Sequence, residues 1–74
     1  MPIEIRPYTI GDVLRIREDL YVAMGRAGDA DGRAAVHAAG NAAQHIYNYA
    51  MAGDVVRAAG RVVDTYKGWL QAER

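Results

Sequence analysis

Residues 34–53 read AAVHAAGNAAQHIYNYAMAG and contain no Lys, Arg, Asp or Glu. Alanine is the strongest helix former, so this stretch reads as helix, from about Gly32 to Ala52. Gly40-Asn41 is its one weak point, where the helix can break into two. The chain as a whole is 24% charged, and a surface helix normally keeps one charged face. A domain of three helices has only two others to cover this one. Part of its surface is therefore expected to meet another molecule.

The segments on either side frame it. GRAGDADG (25–32) holds three glycines and two aspartates in eight residues, which makes it a loop, with Asp29 or Asp31 placed to cap the uncharged helix. Ahead of it, Thr9 to Asp12 has the spacing of a capping box. It opens a helix over Ile10 to Met24, with Ile10, Val13, Leu14, Leu20, Tyr21 and Met24 recurring at helical spacing. After the uncharged stretch, Gly53 is a candidate C-cap and Asp54 a candidate N-cap. A last helix spans Val55 to Gln71, with Val55, Ala59, Val62, Tyr66 and Trp69 as an apolar seam that Val56, Val63 and Leu70 widen. At the start, Ile3 and Ile5 alternate with Glu4 and Arg6 between Pro2 and Pro7, the pattern of a short extended segment or edge strand. The expected fold class is all-α: a single domain over residues 1–74, with three helices and a short extended N-terminal arm. It becomes four helices if the long stretch breaks at Gly40.

Composition narrows the function. At 74 residues, a chain buries only about 60% of the surface its unfolded form exposes, and small domains often lean on a staple, a metal or a partner. There is no cysteine, which removes disulfides, thiolate metal sites and cysteine nucleophiles and suits a reducing, cytoplasmic setting. Nine basic residues balance nine acidic ones, so there is no global pull toward nucleic acid or anionic membrane. The N-terminus lacks the charged leader and apolar core of a signal peptide. With its initial Met and charged tail, the chain is expected to be a complete small gene product. The bias to Ala, Gly, Arg, Asp and Val fits a phage or bacterium with a high-GC genome.

Catalytic constellations are absent from the sequence. There is no serine for a serine triad, and no GxxxxGK[ST] or GxGxxG loop for phosphates. Asp29-Ala30-Asp31-Gly32 resembles part of a calcium loop, but Ala38 stands where the bidentate Glu belongs. His37 and His45 are the only histidines. Eight residues along a helix is about 12 Å, too far to share one metal from a single helix. No enzyme activity, cofactor or metal is expected. A membrane span is opposed by His37, Asn41, Gln44, His45 and Asn48, whose polar side chains are costly in hydrocarbon. These five follow one face of a helix. With Tyr47 and Tyr49 as aromatic anchors, they are the expected partner-binding residues. Small residues among the rest, such as Ala39 and Ala43, let helices approach closely.

Two resemblances add to this. AAVHAAGNAAQHIYNYA (34–50) resembles the helix-turn-helix of TetR-type repressors, with Val36, Ala39, Gly40, Ile46, Tyr47 and Tyr49 at matching places. The resemblance implies DNA contacts from Gln44, His45 and Asn48 to base edges, and from Arg33 and Tyr47 to phosphates. Asn41 and Ala42 depart from the family's turn, its ligand-binding domain is missing, and no Lys or Arg lies between Arg33 and Arg57, although phosphate contacts supply most of a DNA binder's affinity. IEIRPYTIGDVLRI (3–16) resembles the first strand and helix of GNAT acetyltransferases. The chain has about half the length of such a domain and lacks its Gly-rich acetyl-CoA loop, so the resemblance implies only a strand and then a helix. The leading expectation is a non-enzymatic interaction protein, an adaptor or inhibitor. Its expected partner is a second copy of itself, as closed two-fold dimers dominate soluble oligomers, and a further protein besides. Nucleic acid stands second among partners.

Overall fold

The computed structural model of the chain describes residues 7–73. They form three helices: α1 (Ile10–Gly25), α2 (Ala30–Tyr49) and α3 (Gly53–Ala72), with no strand among the described residues. The molecule is an all-α domain in which α2 packs extensively against both neighbours and α1 packs less extensively against α3. The expected extended segment with Ile3 and Ile5 lies outside the described residues.

Two of the three helix starts carry a side-chain cap. At α1 the capping box forms as the spacing predicts. The Thr9 hydroxyl accepts from the Asp12 amide at 3.3 Å, and the Asp12 carboxylate accepts from the Thr9 amide at 2.9 Å. Two helix-end donors are thereby satisfied, and an acid sits in the first turn where the helix dipole favours it. At α2 the cap is Asp29, which accepts from the Gly32 amide at 2.7 Å. Gly32 is buried under the preceding loop, and a β-carbon there would overlap the Arg26 carbonyl.

The junction between α2 and α3 corrects the sequence reading. α2 ends at Tyr49, and Ala50 is already extended at φ −69°, ψ 142°. Gly53 is therefore not a C-cap but the first residue of α3, and no described residue takes a positive φ. Asp54 lies inside the first turn, accepting from the Val55 amide at 2.9 Å, while the N-cap position is Ala52. The connection is three residues long, with Ala50 and Ala52 both in extended conformation, and is not a left-handed glycine turn.

The helix also does not break at Gly40, so there are three helices and not four. Gly40 is buried, and the Tyr66 ring of α3 lies where its β-carbon would be. The glycine costs α2 some helix propensity and in return lets α3 approach closely. Gly60 of α3 faces Tyr47 of α2 in a milder form of the same contact, where an added β-carbon would meet the ring at 3.1 Å.

The core is built of small side chains. Val13, Leu20 and Ala23 meet Val36, Ala39, Ala43 and Ile46, with Val55, Ala59, Val62 and Val63 from α3. Only Leu20 and Val36 are large and completely enclosed, and no polar or charged residue is buried among the described residues. The seam expected in α3 is the one observed, with Tyr66 and Trp69 packed at its edge. In α1 the expectation needs correction. Ile10, Leu14 and Tyr21 are exposed, while Ile16 and Ala23, which the spacing did not single out, pack into or against the core. The apolar arc of α1 is wider than the two other helices cover.

Candidate interaction surface

The buried residues of α2 fall on one side of the helix, at positions 32, 36, 39, 40, 43 and 46. At 100° per residue the opposite side is centred near Asn41 and Asn48. His37, Asn41, His45 and Asn48 are all exposed there, and Gln44 is half-buried at the margin toward α3. The polar residues expected to share a face do so. The Gln44 amide donates to the Asn48 side-chain oxygen at 3.0 Å, one turn apart. No exposed residue of α2 after Arg33 carries a charge.

The two histidines lean to opposite flanks of this ridge. His37 reaches α3: its Nδ1 is hydrogen-bonded to the Tyr66 hydroxyl at 2.6 Å. Its ring meets Tyr66 and Trp69 edge-to-face, with centroids 5.8 and 5.7 Å away. His45 reaches the segment that leads into α1. Its Nε2 is hydrogen-bonded to the Tyr8 hydroxyl at 2.7 Å, and the two rings meet at 87°. Edge-to-face pairs of this kind add a modest stabilisation beyond area burial. Both histidines thus tie the domain together as well as facing solvent. Among the described residues no group of three or more His, Asp or Glu converges as a metal site would require.

The tyrosines expected as anchors are separated. Tyr47 turns to the α3 side, against Gly60. Tyr49 lies on the other flank, its ring centroid 4.8 Å from that of His45. Tyr8, Tyr49 and His45 form one aromatic cluster; Tyr66, Trp69 and His37 form the other. Asn41 stands on the open ridge between them. The participation of Tyr8, Tyr66 and Trp69 was not visible in the sequence, because each lies at least 29 residues from its histidine. Only the tertiary fold joins them.

The helix-turn-helix geometry is not formed. α2 runs unbroken from Ala30 to Tyr49, so the turn that the TetR-type resemblance places at Gly40-Asn41 is continuous helix. Arg33 and Tyr47 stand fourteen residues apart on it, about 21 Å. Gln44, His45 and Asn48 are not presented on a separate recognition helix. No helix among the described residues is long and apolar enough to cross a membrane. Neither a protein-family model, nor a curated protein, nor a solved structure matches this chain.

Proposed function

We propose that this protein is a non-enzymatic protein–protein interaction module, an adaptor or inhibitor that self-associates through the exposed face of α2. The observation that carries the reading is the absence of any charge on that face after Arg33, in a chain that is 24% charged as a whole. A neutral, small-residue ridge loses little solvation when it is covered, and exposed alanines allow two helices to approach closely. Charged residues are depleted from the centres of protein interfaces for the same reason, and tyrosines are enriched there. His37, Asn41, Gln44, His45 and Asn48 supply hydrogen-bonding groups, and Tyr47 and Tyr49 border the ridge on its two sides. Met51, which is 97% exposed, extends the apolar surface past the end of α2. An isologous pairing of α2 with α2 brings no like charges together.

Light scattering of the pure protein over a concentration series tests this. The expected result is a mass rising to twice the 8.1 kDa of the chain. Ala38→Glu with Asn41→Asp places two carboxylates on the ridge, both at exposed positions. That variant should remain helical and monomeric. A monomer at every concentration for the parent, or an unchanged dimer for the variant, overturns the reading.

A further inference from the structure

A second surface lies on the far side of the molecule, where α1 and α3 part. Their looser packing leaves a groove of about 390 Å³ with Val13 and Leu20 of α1 and Ala58 and Val62 of α3 in its lining. Leu14 and Tyr21 rise from the α1 side and are 52% and 51% exposed. These two are seven residues apart, one stripe beyond the core stripe of the helix, and about half of each side chain is open to solvent. Arg17 stands on one wall between them, its guanidinium 5.5 Å from the centre of the Tyr21 ring. Arg61 stands on the other wall, and no acidic residue lines the groove among the described residues. In a chain of zero net charge, this is a local concentration of positive charge around an apolar floor.

We infer that the α1–α3 groove docks an amphipathic helix of another protein, its apolar residues seated between Leu14, Tyr21 and Val62 and its acidic residues paired with Arg17 and Arg61. Helices in grooves are recognised through apolar anchors at i, i+3 or i+4, and i+7, and a groove bordered by two helices offers that spacing. The arginines select the occupant. A two-fold pairing of this groove with its own copy sets Arg17 and Arg61 against a second set of the same charges, which is costly at an interface. The uncharged face of α2 in a second copy offers them no carboxylate. An acidic helix satisfies both guanidinium groups in the fork geometry that suits carboxylates. No residue of α2 lines the groove, so the inference stands independently of self-association through α2.

The test uses the full chain, labelled for amide NMR, and a fluorescent synthetic helix with Leu at i, i+4 and i+7 flanked by Glu. A second peptide carries Lys in place of each Glu. The expected result is shift changes at Leu14, Arg17, Tyr21, Ala58, Arg61 and Val62, with the acidic peptide binding at least about tenfold tighter than the basic one and weakening as salt rises. Arg17→Glu with Arg61→Glu should invert that preference while leaving the helical signal and the solution mass unchanged. The inference is overturned by equal binding of the two peptides, by no binding at millimolar concentration, or by shifts confined to α2. It is overturned equally by a change in solution mass on charge reversal, which would make the groove a self-interface.

Discussion

The ring of Tyr66 lies against the backbone of Gly40, in the space a β-carbon would occupy. This contact explains why α2 continues through the residue that most invites a break. A glycine inside a helix weakens it by about 1 kcal/mol relative to alanine, and here the close packing of α3 on α2 outweighs that. Gly40→Ala is therefore expected to destabilise the protein by about 1–3 kcal/mol, the usual cost of overpacking, although alanine is the better helix former. Gly40→Ala combined with Tyr66→Ala should lose much less than the sum of the two single changes. Urea titration of the four proteins checks this. Additive losses would show that the ring and the glycine are not in contact.

Gly68 is also a helical glycine, but its expected effect has the opposite sign. It is inside α3 and exposed, and an added β-carbon there meets nothing within 4 Å. Gly68→Ala should stabilise the domain by about 0.5–1 kcal/mol through helix propensity and a less flexible unfolded chain. Thermal melts of Gly40→Ala and Gly68→Ala, measured side by side, should shift in opposite directions.

Much of this fold could be read from local signals. Thr9 and Asp12 satisfy each other's backbone within three residues, and Asp29 reaches an amide three residues on; such caps depend only on the local chain. The apolar seam of α3 comes from periodicity alone. Gly40 and Gly53 were misleading for a shared reason. A glycine signals that a side chain is absent, but not whether a turn or a neighbouring ring requires the space. At Gly40 it is Tyr66, and at Gly53 the helix begins two residues before the expected start. The uncharged face of α2 was legible because charge is counted along one helix. The histidine–tyrosine ties and the α1–α3 groove were not, because they depend on how helices far apart in sequence come together. A trace of the groove was present in α1, where Ile10, Leu14 and Tyr21 form an apolar stripe beside that of Val13 and Leu20.

The cap of α2 should be worth more than the acid at the start of α3. Asp29 accepts at 2.7 Å from the amide of Gly32, a buried residue, and Asp29→Ala should cost about 1 kcal/mol. Asp54 accepts only from the amide of the next residue, Val55, and bridges no turn of the helix, so it acts mainly through the helix dipole. Asp54→Ala should cost roughly 0.3–1 kcal/mol, and that smaller loss should shrink at high salt. Denaturant titration at two ionic strengths separates the two mechanisms.

The tie between His45 and Tyr8 should couple the start of α1 to the far end of α2. Tyr8→Phe removes one hydroxyl and leaves the ring edge-to-face with His45. The bond is exposed, so the expected loss is under about 1 kcal/mol. A double-mutant cycle with His45→Ala should nevertheless give a non-zero coupling, and amide exchange at residues 9–12 should quicken in either single variant. Unchanged exchange there would mean that the contact anchors nothing.

Leu14 and Leu20 lie on the same helix and differ in what covers them. Leu20 is completely enclosed and Leu14 is 52% exposed at the rim of the α1–α3 groove. Leu20→Ala removes a core side chain and leaves a cavity, with an expected cost of about 2–5 kcal/mol. A small domain of this kind has only about 5 kcal/mol or little more to lose, so that variant should be close to unfolding at room temperature. Leu14→Ala removes partly hydrated surface and should change stability by about 0.5 kcal/mol or less, while alanine's helix propensity offsets part of the loss. If Leu14 were held in place by a core contact, its replacement would lower the melting temperature by many degrees, since about 1 kcal/mol corresponds to roughly 4–8 °C in a domain of this size. A melting temperature within a few degrees of the parent, together with a weaker response to the acidic helix, would assign Leu14 to binding and Leu20 to the fold.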